Sequence, residues 1–398
     1  MGREFWNGNR AAAEAAKLCR VQTVAAYPIT PQTGVVEHIS ALIHNGELEA
    51  EMVHVESEHS AMSACAGAAT MGARTFTASC SQGLMLMGEV LFMTSGCRLP
   101  VVMAVANRSL SAPVNIWGDQ QDSLVLRDSG WIQLYSATVQ EAYDNVLQAY
   151  RIAEDERVCL PVMVCYDGFY ISHVSETVET LTQEQADEFL PSNETPGWTV
   201  LDVDNPFQLN QLLPPVAYSE YQYRKHSAML RAREVATEVG EEFGEKFGRG
   251  YGLLDSYQCE DAEFIMVGMG SLTGTAKWVV NKLRGRGEKA GMVGVRMFRP
   301  FPEKEFAEAT KGARALIVFD RAIGFGTCGM LYYDVTRVLY HLEKKPMALN
   351  FIVGLGGRDV TPEFIEHSYF RARMVVQDGL QDTTQTLFWP DADLEGLR

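Results

Sequence analysis

Short apolar runs separated by helix-length stretches recur through the first 170 residues. Thr23 to Ala26, Glu51 to Val55, Thr75 to Ala78, Pro100 to Ala106 and Pro161 to Cys165 each have strand length. Most lack an alternating polar face, so both faces are expected to be covered, as in a parallel sheet. Helices are predicted between them over Pro31 to His44, Ser57 to Gly72, Leu84 to Thr94 and Val139 to Asp155, with Asn45-Gly46 as a stop signal. Such alternation predicts a doubly wound, mainly parallel α/β domain.

The pattern changes after Ser172. Leu181 to Gln211 is polar and carries Pro191, Pro196 and Pro206, which reads as an excursion outside the core. Tyr218 to Phe247 is helix-compatible and heavily charged, ending at Gly248-Arg249-Gly250, and is expected to be an arm lying on a surface. Alternation resumes with strands at Phe264 to Gly268, Met292 to Phe298, Ala315 to Phe319 and Leu349 to Val353, and helices at Thr275 to Leu283, Glu303 to Ala309 and Met330 to His341. The expected division is a first α/β domain over 1–217, a helical arm over 218–259 and a second, smaller α/β domain over 260–398.

Composition is that of a globular protein, with 46% hydrophobic and 21% charged residues. No run reaches the roughly 18 consecutive apolar residues of a membrane span, and the N-terminus has no apolar signal-peptide core, so the cytoplasm is the expected location. A net charge of −17 disfavours nucleic acid and anionic membranes as partners. The eight cysteines include no Cys-x-x-Cys pair and most sit in apolar runs, so they read as buried free thiols.

Candidate chemistry gathers where apolar runs give way to loops or helices. In a parallel α/β sheet those points share one edge, beyond which ligands bind. Thr30, Glu58 and Arg108 all fall there, so a hydroxyl, a carboxylate and a guanidinium are expected to converge on a small anionic substrate and an acid/base cofactor. Each has a plainer explanation. Glu58 near a helix start suits the helix dipole. Thr30 before Pro31 fits an N-cap with proline at N1. Arg108 is either paired to Asp119 or Asp122 or free for an anion. His54 and His59 read as packing or solvent residues more readily than as a metal pair. Gly324 to Gly329 fits G-x-G-x-x-G, but the strand before it ends at Asp320, so tight turns are preferred there and at Gly354 to Asp359.

Several motifs, in order along the chain, carry a resemblance. Tyr27-Pro28-Ile29-Thr30-Pro31, Val55-Glu56-Ser57-Glu58-His59-Ser60-Ala61, Thr75 to Ser79 with Ser81-Gln82-Gly83-Leu84, Asn107-Arg108, Trp117 to Asp122 and Gly354 to Val360 together resemble the α subunits of the pyruvate:ferredoxin oxidoreductases, within the 2-oxoacid:ferredoxin oxidoreductase family. The resemblance implies a thiamine diphosphate pyrimidine-binding domain followed by a transketolase C-terminal-like domain. It implies that Glu58 hydrogen-bonds the aminopyrimidine and so favours the tautomer that deprotonates the thiazolium carbon. Thr30 and Arg108 match residues that hold the 2-oxoacid, and Ile29 and Gln82 lie in the motifs that would line the cofactor.

The implied reaction is the reversible oxidative decarboxylation of pyruvate with coenzyme A to acetyl-CoA and CO₂, with electrons passed to ferredoxin. No Gly-Asp-Gly followed about 30 residues later by asparagine is present for the diphosphate and Mg²⁺, and no cysteines are spaced for [4Fe–4S] clusters. Mg²⁺ and clusters would therefore sit on β, γ and δ subunits or fusions of them, with ferredoxin docking on those subunits and this chain silent alone. A branched-chain 2-oxoacid substrate and a non-catalytic scaffold role remain open. Oxalate is disfavoured, because oxalate-oxidising relatives carry arginine where Thr30 stands.

Overall fold

In the computed structural model of the chain, residues 2–191, 203–204, 206, 208–380 and 386–391 are described. The strands are β1 (Gly2–Asn7), β2 (Thr23–Ala25), β3 (Glu51–Val53), β4 (Thr75–Ser79), β5 (Val102–Asn107), β6 (Ile132–Ser136), β7 (Val162–Asp167) and β8 (Ser175–Thr180) in the first part. They continue as β9 (Leu254–Tyr257), β10 (Phe264–Gly268), β11 (Ala290–Val295), β12 (Met297–Arg299), β13 (Ala315–Asp320), β14 (Met347–Ile352) and β15 (Leu387–Phe388). One sheet has the order β12-β6-β7-β5-β4-β2-β3 and a second the order β15-β14-β13-β10-β11-β9. All neighbours within β6-β7-β5-β4-β2-β3 run parallel, as do β15-β14-β13-β10-β11. The fold is therefore two doubly wound, mainly parallel α/β units, as the apolar runs predict.

Strand β5 shows why the runs lack polar positions. Val102, Ala104 and Ala106 pack with the helices Gly8–Leu18 and Val139–Ala153, while Val101, Met103 and Val105 face a second cluster. That second cluster also contains Ile265, Val267, Val293, Leu316 and Val318 of the other sheet. Each such aliphatic side chain contributes about 1.5–3 kcal/mol on burial, so a continuous apolar layer holds the two sheets together.

The expected strand Met292 to Phe298 is divided between the two sheets. Its first part, β11, lies parallel to β10, whereas β12 crosses over and pairs antiparallel with β6. Between them Arg296 is buried, its Nη2 donating to Asn145 Oδ1 at 2.6 Å and Gln148 Oε1 at 2.9 Å. Strand β9, before residue 260, pairs antiparallel with β11.

Other departures are local. The span Leu84 to Thr94 forms two helices, Ser81–Leu86 and Gly88–Gly96. The polar excursion is built in part: Gln183–Phe189 is a helix closed by a capping box from Thr182 and Gln185. Most of 192–207 in that excursion, Pro196 included, lies outside the described residues. A helix at Pro362–Asp378 and the antiparallel ribbon of β1 with β8 have no counterpart in the pattern reading. The long helix Pro215–Phe247 begins three residues earlier than expected and ends at Gly248 in the left-handed region. Its second half is buried through Ala228, Ala232, Val235, Ala236, Val239 and Phe243, a helical stripe. Of the cysteines, all eight are free, with Cys159 and Cys328 half-exposed rather than buried. No helix among the described residues is long and apolar enough to cross a membrane.

Candidate functional site

The parallel order β7-β5-β4-β2-β3 brings the carboxyl ends of five strands to one edge. Tyr27 to Gln32 follow β2, the helix bearing Glu58 follows β3, Cys80 to Gly83 follow β4, and Arg108 follows β5. The sequence-selected residues thus come from four neighbouring loops.

Glu58 is the first residue of the helix Glu58–Thr70, whose N-cap Ser57 accepts the Ser60 N–H at 3.3 Å. Its side chain is buried, yet its carboxylate takes no hydrogen bond from any described residue. A Cβ placed on Gly83 would lie 2.5 Å from Glu58 Oε1, so only a hydrogen at position 83 leaves room for the acid. The helix dipole explains why a carboxylate is tolerated here, but not why it faces inward without a partner.

Arg108 is also buried. Its Nε donates to the Asn115 carbonyl and its Nη1 to the Thr30 carbonyl, both at 3.0 Å. No carboxylate among the described residues lies within ion-pair distance of it. Asp122 instead accepts the main-chain N–H of Arg108 at 2.9 Å, and Asp119 accepts the N–H of Gln121 at 3.0 Å and of Gly356 at 2.9 Å. The ion-pair reading of Arg108 is thereby removed, and its guanidinium is left with carbonyl partners only.

The N-cap reading of Thr30 is overturned. The helix starts at Thr33, with Gln32 in the cap position making no side-chain cap. The loop is instead pinned by Gln32 Nε2 donating to the Tyr27 carbonyl (2.9 Å) and Asn9 Nδ2 to the Pro31 carbonyl (2.7 Å). Thr30 is left exposed at the edge, while its carbonyl also receives the Cys80 thiol at 3.3 Å. Burial pushes that thiol well above its ordinary range, which keeps it protonated. Ile29 and Gln82 are half-buried beside these groups in the chain, and Gln82 Oε1 accepts the Ser81 hydroxyl at 2.5 Å.

Two aspartates organise this edge: Asp122, which the sequence offered only as an ion-pair partner for Arg108, and Asp167, to which it gave no role. Asp122 is fully buried and accepts four N–H groups. Burial outweighs these bonds and pushes its carboxyl up to about 7. Asp167, at the end of β7, accepts the N–H and hydroxyl of Ser271 from the second sheet at 2.7 and 2.6 Å. The signal that could have found Asp167 is an acidic residue closing a wholly apolar strand at the same edge as Asn107, its register partner.

The glycine motifs have structural explanations. At Gly329, an added Cβ would overlap the carboxylate of Asp320, which accepts the N–H groups of Leu331 (2.7 Å) and Tyr332 (3.1 Å). The helix start after Gly324 to Gly329 is thus filled by an internal acid rather than open to a phosphate. Gly356 N–H and carbonyl engage Asp119 and Asn115, and Tyr170 bonds the Gly357 carbonyl and Asp359. The motif from Gly354 therefore locks the second unit onto the loop after β5. His59 lies 3.8 Å from Glu89.

Two mainly parallel α/β units thus meet at an edge that holds an inward acid and an arginine without a carboxylate partner among the described residues. Residues 14–241 match the family described as "Pyruvate flavodoxin/ferredoxin oxidoreductase, thiamine diP-bdg", and 262–365 match "Pyruvate:ferredoxin oxidoreductase core domain II". The chain belongs to this oxidoreductase family. It is 46% identical over 383 residues to the pyruvate synthase subunit PorA of Methanothermobacter thermautotrophicus, covering 95% of this chain and 98% of the relative. It is 50% identical over 356 residues to PorA of Methanocaldococcus jannaschii, covering 89% and 90%. The ketoisovalerate oxidoreductase subunit VorA of Pyrococcus furiosus is 46% identical over 381 residues, covering 96% of each. Among solved structures, a chain of 2-oxoglutarate:ferredoxin oxidoreductase from Magnetococcus marinus superposes with a TM-score of 0.73 at 19% identity, covering 94% of this chain and 65% of that one. A split-gene transketolase superposes with a TM-score of 0.51 at 13% identity over 92% of this chain and 98% of its own. These two likenesses speak for the fold.

Proposed function

We propose that the chain is the α subunit of a multi-subunit pyruvate:ferredoxin oxidoreductase, supplying the aminopyrimidine side of the thiamine diphosphate site and the groups that hold the 2-oxoacid. The observation that carries the reading is the pairing, on one sheet edge, of a buried unpartnered carboxylate with a buried guanidinium that has no counter-ion. In this reading residues 1–217 form the pyrimidine-binding domain, 218–259 the arm and 260–398 the transketolase C-terminal-like domain.

The residues present fit the aminopyrimidine half of the cofactor. Gly83 leaves the space that Glu58 occupies, and the Glu58 carboxyl group is free to share a proton with a ring nitrogen. When bound, thiamine diphosphate supplies the electron sink that lets the carboxylate of a 2-oxoacid leave as CO₂. Glu58 holds and exchanges the proton at the pyrimidine ring. Arg108, with Nη2 unengaged, presents planar donors to the substrate carboxylate and offsets its charge. Thr30 offers a hydroxyl beside it, and Ile29 and Gln82 line the cofactor.

Asp119 is committed to main-chain N–H groups, which leaves it poorly placed to hold Mg²⁺. The diphosphate half with Mg²⁺, and the [4Fe–4S] clusters that pass electrons to ferredoxin, are assigned to β, γ and δ subunits or fusions of them, with coenzyme A taking the acetyl group. The assembled enzyme is assigned to the cytoplasm. A second reading is favoured by the VorA relatives, which match about as well as PorA: the same site acting on a branched-chain 2-oxoacid.

The test is coenzyme A-dependent reduction of a low-potential dye by the anoxically purified complex, with pyruvate and 3-methyl-2-oxobutanoate compared by kcat/KM. Preference for pyruvate, lost in Glu58→Gln, supports the proposal. Preference for the branched acid transfers the mechanism to the second reading, and inactivity with both favours a scaffold.

A further inference from the structure

The Asp122 carboxylate is fully buried, has no cationic side chain paired to it, and uses both oxygens twice. Oδ2 accepts the N–H of Ser81 at 2.8 Å and of Arg108 at 2.9 Å; Oδ1 accepts Asn107 Nδ2 at 2.8 Å and the N–H of Ser123 at 2.7 Å. These donors come from the exits of β4 and β5 and from the turn that carries Asp122 itself. Ser81, at φ +50°, starts the short helix whose Gly83 forms the wall against Glu58. Arg108 is the group proposed above to receive the substrate carboxylate. One side chain thus anchors the backbone under both groups.

We propose that Asp122 is a positioning residue for both halves of the reaction site, setting Arg108 for the 2-oxoacid and, through Ser81 to Gly83, the wall on which Glu58 rests. The inference rests on the function proposed above. A purely structural cap would need only one of these bonds; four donors from three segments, two of them adjoining the reacting edge, couple the two arms in one group. A carboxylate accepts all four bonds only when ionised, because a proton on either oxygen turns an acceptor into a donor facing N–H groups. An amide at this position has the same defect permanently.

The groups facing Asp122 are Asp119 on its own turn, Cys80 after β4, Arg108 after β5, Tyr135 on β6 and Cys165 on β7. Burial raises the two thiols and the phenol, which stay neutral through the working range. Asp119 is itself raised by burial. An acidic limb near neutrality in the pH profile is therefore expected from Asp122, with Asp119 as the competing source.

The experiment uses the assembled complex carrying Asp122→Asn, beside Gly83→Ala, Arg108→Ala and Asp119→Asn. Steady-state kcat and KM for the preferred 2-oxoacid are measured from pH 6 to 8.5, and thiamine diphosphate affinity is measured by calorimetry on cofactor-stripped complex. Asp122→Asn is expected to raise KM and to weaken cofactor binding, each by about tenfold or more, the scale of a lost charge-assisted bond. It is also expected to abolish the acidic limb, which Asp119→Asn retains. Gly83→Ala should weaken cofactor binding and lower kcat with KM unchanged, and Arg108→Ala should raise KM alone.

KM and cofactor affinity both within about twofold of wild type in Asp122→Asn overturn the proposal, as does a loss of active complex with neither constant nor the limb altered. If Asp122→Asn does not assemble, Asn107→Ala, which removes one donor and spares the main chain, is expected to move both constants in the same direction; no movement overturns it. An unchanged KM in Arg108→Ala defeats the substrate-binding reading instead, which separates the two failures.

Discussion

The Arg321 Nη1 lies 3.0 Å from the Asp167 carboxylate, and this buried ion pair joins the end of β7 in the first sheet to the end of β13 in the second. Arg321 Nη2 also donates to the Gly118 carbonyl at 2.8 Å, and its carbonyl accepts the Gln120 N–H at 2.9 Å. The loop that supplies Asp119 and Asp122 is therefore held by the second unit. Because the side chains are 4% and 1% exposed, the pair is worth most as a registration device: breaking it leaves an uncompensated charge.

Asp167→Ala should destabilise the chain by about 3–5 kcal/mol, since Arg321 would remain buried without its partner. Denaturant unfolding followed by tryptophan fluorescence reads this, and a loss under about 1 kcal/mol would mean that water reaches Arg321.

Glu58 and Arg108 should fail differently. Glu58→Gln keeps the shape but cannot exchange a proton, so kcat should fall by about 10²–10⁴-fold with KM little changed. Arg108→Lys cannot serve the carbonyls of Asn115 and Thr30 and also present a planar fork, so it should raise KM nearly as much as Arg108→Ala. Full activity in Arg108→Lys would show that charge alone suffices.

Stability should rise as pH falls from 8 toward 5. Burial, opposed by hydrogen bonds that do not overcome it, pushes Asp122 and Asp320 up to about 7 from an ordinary 3.8. The folded state thus binds protons that the unfolded state releases, so the stabilising contribution is complete below about 3.8 and is lost as pH rises through about 7. Glu14 runs the other way: burial would raise it, but hydrogen bonds from His38 and Lys17 hold it down to about 2. Its contribution is present above an ordinary 4.5 and lost as pH falls through about 2. Melting temperatures at constant ionic strength from pH 5 to 8 test the first trend, and a flat profile would refute it.

Gly329→Ala should cost about 1–3 kcal/mol by displacing Asp320 from the N–H groups of Leu331 and Tyr332. Thermal melting measures the loss. Gly326→Ala, beside it in the same motif, has nothing within 4 Å of its added Cβ and should differ only through its positive φ.

The legible parts of the fold share one property: their signal is local. Phe264–Gly268 and Glu303–Ala309 have the predicted bounds, because a short apolar run or a charged helix that starts after a proline declares itself within a few residues. The ribbon of β1 with β8 was illegible, since β1 is largely exposed, β8 is mostly half-buried, and their partners are about 170 residues apart. The run through Met292 to Phe298 is apolar but for Arg296, and that charge alone does not announce a switch between sheets; its place is read only once Asn145 and Gln148 are seen beside it.

The same division holds at the site. Residue type, spacing and position after an apolar run were enough to select Glu58, Thr30 and Arg108 and to bring them to one edge, because parallel strands place their carboxyl ends together. Whether Arg108 was already paired, whether Thr30 capped a helix and what held the edge in register depended on contacts between distant segments. The tertiary structure decided these: Asp119 is consumed by main-chain N–H groups and Asp122 by three of them and the Asn107 amide, the helix begins past Thr30, and Asp167 reaches across to Ser271 and Arg321. Strand periodicity is written in neighbouring residues, but the partner of a charge is set by which chain segments folding brings within about 3 Å of it.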